Sequence, residues 1–166
     1  MKTMMKIRPI TKNDRPAVLE VVHLTGVFTP EEERVAAELI DVCLTKPGQT
    51  DYITVVIEND TGAVVGYVCY GSRPMTEGVV DLYWMAVHPG KHRQGFGKAL
   101  IQWLENDVRE KQGRLIVIET SARDKYVTTR NFYQRLGYVE NARIRDFYRP
   151  GDDLVMYCKY LKPEGA

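Results

Sequence analysis

Residues 88–100 read HPGKHRQGFGKAL and bring together side chains and backbone suited to holding an anion. Lys91, His92, Arg93 and Lys98 crowd around Gly95 and Gly97. A hydrophobic run precedes this stretch and a helical pattern follows it. A glycine-rich turn that feeds a helix N-terminus presents unpaired N–H groups outward, which is the chemistry of a phosphate cradle.

Two common phosphate patterns fit poorly. A P-loop, G-x-x-x-x-G-K-[ST], would put its first glycine on His92 and its hydroxyl on Ala99, so it fails twice. A dinucleotide fingerprint, G-x-G-x-x-G, is met by Gly95 and Gly97 but finds Leu100 at its third position. Glu119, at the end of the next strand, suits a ribose ligand. However, the fingerprint needs a parallel βαβ unit, and three antiparallel strands lead in here.

Those strands, and the elements around them, must position the loop. KIRPI forms a short first strand, and a helix starting within TKNDRP carries Val18, Leu19 and Val22 and stops near Gly26. The second helix opens with Thr29 as N-cap, Pro30 at the first helical position and Glu32 as capping-box partner. DYITVVIEND, AVVGYVCYG and VVDLYWMAV are rich in Val, Ile and Tyr and read as a meander of strands. After the loop comes a helix with Phe96, Leu100, Trp103, Leu104 and Val108 on one side. RLIVIET then reads as a buried strand able to run parallel to the strand before the loop. YVTTRNFYQRLG is a further helix, and YVENARIRDFY and DLVMYCKYL are closing strands around RPGDD. The order β-α-α-β-β-β-α-β-α-β-β predicts one α/β domain over residues 1–166, an α+β mixed sheet with helices on its faces.

WMAVHPGKHRQGFGKALIQWL and RNFYQRLGY, in this order and spacing, resemble the strand–loop–helix core and the later helix of the GNAT superfamily of N-acetyltransferases. The resemblance runs over nearly the whole chain. It implies that acetyl-CoA is the cosubstrate and that the N–H groups of His92, Arg93, Gln94, Gly95, Phe96 and Gly97 cradle its pyrophosphate, with Lys98 also at the cofactor site. The pantetheine arm would lie along Met85, Ala86 and Val87, with a backbone N–H of Met85 or Ala86 facing the thioester oxygen. The superfamily's first loop position, usually Gln or Arg, is His92 here, with Arg93 one place later. Either side chain can meet the phosphates.

Transfer to an amine needs proton management. An ammonium with a pKa of ~10.4 is neutral in about 1 molecule in 2,500 at pH 7, a deficit of roughly 4.6 kcal/mol. Asp81, flanked by Val80 and Leu82, is one candidate base, because partial burial would raise its pKa. Glu119 is its rival. The resemblance makes Tyr133 the acid that protonates the departing sulfur. Seven residues before it, where many relatives carry Asn, stands Tyr126. Phe28, Phe147, Tyr148, Asp146, Asp152 and Asp153 are expected in the variable, substrate-facing parts, with solvated loop positions as the plainer reading.

Bulk properties bound the reading. The 166 residues carry 44% hydrophobic and 27% charged side chains and a net charge near +1. Such a balance gives no general attraction to nucleic acid or membrane, so the basic cluster serves a small anion. MKTMMKIRPI lacks the apolar run of a signal peptide, and nothing approaches a membrane span. Cys43, Cys69 and Cys158 form no CxxC pair and read as buried free thiols of a reducing cytoplasm. His88 and His92 have a metal-like spacing, but Pro89 and Gly90 keep them off one helical face, so no metal is expected. The expected partner is a small-molecule or peptide amine, and the superfamily's habit adds a homodimer through the closing strands. A non-catalytic acyl-CoA-binding sensor of the same fold is the alternative.

Overall fold

The computed structural model describes residues 4–161. Its elements are β1 (Lys6–Pro9), α1 (Arg15–Leu24), α2 (Pro30–Thr45), β2 (Ile53–Glu58), β3 (Val64–Ser72), β4 (Val79–Val87), α3 (Phe96–Glu110), β5 (Leu115–Ser121), α4 (Val127–Arg135), β6 (Val139–Arg149) and β7 (Asp152–Tyr160). This is the order expected from the sequence. The strands hydrogen-bond in the order β1-β2-β3-β4-β5-β7-β6, a mixed sheet. The chain forms two compact units: Met1–Gly71 with Tyr83–Leu104, and Ser72–Leu82 with Glu105–Ala166.

In the first unit the local signals act as their chemistry dictates. Thr29 accepts from Glu32 N–H at 3.2 Å, and the Glu32 carboxylate accepts from Thr29 N–H at 2.7 Å, closing the capping box of α2. Thr11 and Asp14 form a second capping box where the chain enters α1. Arg8 fastens β1 to this corner, donating to both Asp14 oxygens at 2.7 and 2.9 Å and to Glu58 at 2.7 Å. The apolar stripes of α1 and α2 supply Val18, Val21, Val22 and Ile40 to a core with Val56, Tyr67, Cys69 and Ala86. The Tyr67 hydroxyl is buried in that core without a hydrogen-bond partner.

In the second unit β4 and β5 run parallel, with Val79–Leu82 opposite Leu115–Ile118. β7 pairs antiparallel with β5 along its whole length. At the Pro150–Gly151 turn, Arg149 faces Asp152 across the hairpin, and Gly151 takes φ +79°. Proline first and a left-handed glycine second is the demand of a type II turn. Every residue of β6 is exposed, so this outermost strand has no buried face. Arg143, Arg145 and Arg149 punctuate it, which is how natural edges resist uncontrolled pairing.

Candidate active site

The loop after β4 is organised by its own histidines. His88 Nδ1 accepts from Gly90 N–H at 3.0 Å and so caps the 3-10 turn Pro89–Lys91. His92 Nε2 lies 2.9 Å from the Val87 carbonyl. A carbonyl only accepts, so this nitrogen carries the proton. Gln94 adds a third tie, donating from Nε2 to the Gly90 carbonyl at 3.1 Å.

The chain then turns left-handed at Arg93 (φ +60°) and Gly95 (φ +90°). A Cβ at Gly95 would find only the Met5 methyl, at 3.6 Å, so the backbone angle rather than space asks for glycine. The first full helical bond of α3 runs from Ala99 N–H to the Gly95 carbonyl at 2.9 Å. The N–H groups of Phe96, Gly97 and Lys98 precede that ladder and face out of the helix end. Phe96 is buried and anchors this end, while His92, Arg93, Gln94 and Lys98 are exposed. This helix end could hold an anion, with the helix dipole adding roughly 0.3–1 kcal/mol per favourable charge interaction.

Leading into the loop, β4 keeps strand geometry to Val87, but its ladder with β5 ends at Leu82. Residues Tyr83–Val87 therefore extend beyond the β5 ladder, with β3 as the neighbour on the other edge. Ala86 and Val87 are buried and Met85 is half-buried, so the side chains pack. Beside them Phe28 meets Trp84 edge-on at 5.0 Å, and Tyr52 meets Tyr83 at 5.3 Å.

In the second unit, the two expected carboxylates come together around a third residue. Arg73 Nη2 donates to Glu119 at 3.2 Å, and Arg73 Nη1 lies 3.4 Å from Asp81 Oδ1. Asp81 is half-buried, and burial pushes its pKa up from the ordinary value. The Arg73 charge pulls it back, and Glu119 pushes it up again. The desolvation foreseen for the flanking Val80 and Leu82 is thus the leading cause.

Tyr133 is buried on α4, edge-on to Phe132 at 5.4 Å and to Tyr138 at 5.9 Å. Burial raises its pKa well above the usual phenol range, so it stays protonated at neutral pH and is a donor. Tyr126 ends the 3-10 turn Asp124–Tyr126 and is buried, with the Lys125 ammonium 5.0 Å from its ring centroid.

Other expectations need correction. Asp152 is not a solvated loop acid. It is 4% exposed, accepts a hydrogen bond from the Ser121 hydroxyl and faces Arg149. Asp153 accepts from Asp146 N–H at 3.0 Å and pairs with Arg143 at 3.5 Å. Both hold the hairpin, because a tight turn leaves backbone and arginine donors to satisfy. Cys69 and Cys158 are buried free thiols, but Cys43 is only half-buried, its sulfur 3.1 Å from the Thr54 hydroxyl.

Two polar residues escaped sequence reasoning. Arg73 lies at the strand end in a stretch that reads as a plain connection, and only the fold puts it between two carboxylates. Glu105 looks like a surface residue of α3, yet it is buried, accepting from Tyr138 at 3.1 Å and from Lys159 at 2.8 Å.

Outward-facing N–H groups at the head of α3 and a strand that runs past its β5 ladder just before them are features an acyl-CoA-dependent transferase uses. The sequence profile of the acetyltransferase (GNAT) domain matches residues 50–140, and the chain belongs to this family. A GNAT-family protein from Desulfovibrio desulfuricans is 41% identical, with 95% of this chain and 98% of that one superposed at a TM-score of 0.88. The S-(2-succino)cysteine N-acetyltransferase of Bacillus subtilis (strain 168) is 28% identical over 113 residues, 66% of this chain and 68% of that protein. The yncA structure from Salmonella typhimurium, solved with acetyl-CoA, shares the fold at a TM-score of 0.69 and 21% identity, covering 98% of this chain and 96% of that one. Among the described residues, no helix is long and apolar enough to cross a membrane.

Proposed function

We propose that this chain is an acetyl-CoA-dependent N-acetyltransferase that moves the acetyl group directly to an amine. The observation that carries the reading is the junction of β4 and α3. A strand edge that extends past its ladder leads within a few residues into outward-facing N–H groups at a helix end. A pantetheine arm needs the first and a pyrophosphate needs the second. His92 is engaged with the Val87 carbonyl, so Arg93 and Lys98 are the side chains that answer the phosphate charge.

Bound acetyl-CoA supplies an activated acyl carbon, polarised by a main-chain N–H of Met85 or Ala86. The acceptor ammonium gives one proton to a carboxylate, Asp81 or Glu119, and attacks as the free amine. Its nitrogen bonds to the acyl carbon and the carbon–sulfur bond breaks. Tyr133 protonates the sulfur as it leaves, and the second amine proton replaces the one Tyr133 gave. No cysteine takes part. The name of the Bacillus subtilis relative, an N-acetyltransferase of a modified cysteine, supports an amine nitrogen as acceptor. A homodimer through the closing strands follows the family's habit.

CoA release with a panel of amines, from pH 7 to 9, tests the reading. Turnover on one class of amine is expected. Tight CoA binding without turnover on any amine would make the protein an acyl-CoA sensor. A larger rise in melting temperature with ATP or NAD than with CoA would overturn the assignment altogether.

A further inference from the structure

The base remains a choice between two carboxylates, and their shared arginine decides it. Asp81 on β4 and Glu119 on β5 sit on neighbouring parallel strands, with Asp81 opposite Val117 in register, so Glu119 lies two residues further along the same face. Arg73, from the end of the strand that leads into β4, reaches both. Glu119 receives a hydrogen bond at 3.2 Å, and Asp81 faces Arg73 in an ion pair at 3.4 Å. Their surroundings differ: the Glu119 side chain is 40% exposed and that of Asp81 is 14% exposed.

We infer that Arg73 is a positioning residue that takes Glu119 as its counter-ion and so leaves Asp81 as the proton-accepting carboxylate. This rests on the acetyltransferase reading above. Asp81 is the more desolvated of the two, burial raises its pKa, and that basicity matches an amine proton better. Arg73 also limits the effect. Without it, two carboxylates would repel across adjacent strands, and Asp81 would be protonated over more of the working pH range.

The charged groups acting on Asp81 are Arg73 from the connection into β4 and Glu119 from β5, and the Cys158 thiol of β7 lies one strand further along, opposite Val117. Cys158 is buried and its titration is raised by burial, so it stays neutral and adds no charge.

Carbon-13 NMR titration of the Asp81 carboxyl in the full-length chain tests the arrangement without any substrate. Arg73→Gln should move the Asp81 midpoint up by about half to one pH unit. Arg73→Lys, which keeps the charge, should restore most of it. Glu119→Gln should move the midpoint down, since it removes a like charge and leaves Arg73 to Asp81 alone. An unmoved midpoint in folded Arg73→Gln overturns the inference. If that variant does not fold, Glu119→Gln decides alone: a downward shift supports the inference, and no shift overturns it.

With the amine panel, the acidic limb of kcat/KM should follow the same shifts, and Asp81→Asn should cost far more kcat than Glu119→Gln. A limb that stays put while the NMR midpoint moves removes Asp81 as base and Arg73 from the reaction. Failure of CoA binding would overturn the acetyltransferase reading instead, and the titration would be untouched by it.

Discussion

The imidazole Nε2 of His92 lies 2.9 Å from the carbonyl oxygen of Val87, so the first side chain of the loop is tied to the last residue of β4. One hydrogen bond thereby couples the end of the strand to the entrance of the cradle. His92→Ala removes the donor but leaves the cradle's N–H groups in place. A net hydrogen bond is worth about 1 kcal/mol, so the variant should weaken CoA binding about fivefold. Isothermal titration calorimetry of the variant checks this, and a loss of affinity beyond a hundredfold would mean that His92 meets the phosphates itself.

Gly95 takes φ +90° in a place with room for a methyl group. Gly95→Ala should therefore cost about 1–2 kcal/mol of stability through backbone strain alone. Gly95→Asp adds a carboxylate where phosphate belongs and should abolish CoA binding in a chain that still folds. Urea denaturation and calorimetry on the same two proteins separate the effects. Intact CoA affinity in folded Gly95→Asp would sink the loop assignment.

Tyr133→Phe keeps the ring contacts to Phe132 and Tyr138 and deletes only the hydroxyl. Loss of a general acid should lower kcat by roughly a hundredfold or more. CoA affinity should change little by comparison. An unchanged kcat would make Tyr133 a packing residue.

Tyr67 holds a hydroxyl in the core with no hydrogen-bond partner. Leaving a buried donor unsatisfied costs about 1–3 kcal/mol, and phenylalanine fills the same shape. Tyr67→Phe should raise stability by about 1 kcal/mol, visible as a higher Tm in calorimetry. A fall in Tm would show that the hydroxyl is satisfied in solution.

Asp14 is held far below the usual carboxylate range by the Arg8 guanidinium, helped by hydrogen bonds from Thr11. A carboxylate whose folded pKa is depressed contributes stability that is present above its unfolded value, near 4. That contribution drains away as pH falls below it. Urea midpoints of the wild type should drop between about pH 4 and pH 2, and those of Asp14→Asn should drop less. Parallel curves for the two proteins would assign acid sensitivity elsewhere.

Local chemistry let the sequence by itself determine the elements and the glycine turn that leads into α3. The capping box Thr29–Glu32 and the glycine pattern after the VVDLYWMAV strand act over a few residues, so their outcome is legible in the order of residue types. The strand–loop–helix junction is one continuous stretch of chain, and its N–H groups face outward whatever packs nearby. Side-chain tasks at longer range were not legible. The basic stretch did not say that His92 would turn back to the Val87 carbonyl, because a carbonyl carries no sequence signature. RPGDD did not say that Asp152 would be buried under Ser121. Only the fold set Arg73 between Asp81 and Glu119, because that requires a connection, a half-buried strand and a neighbouring parallel strand to converge. Convergence of this kind depends on sheet register, and register is a property of paired strands rather than of any one of them.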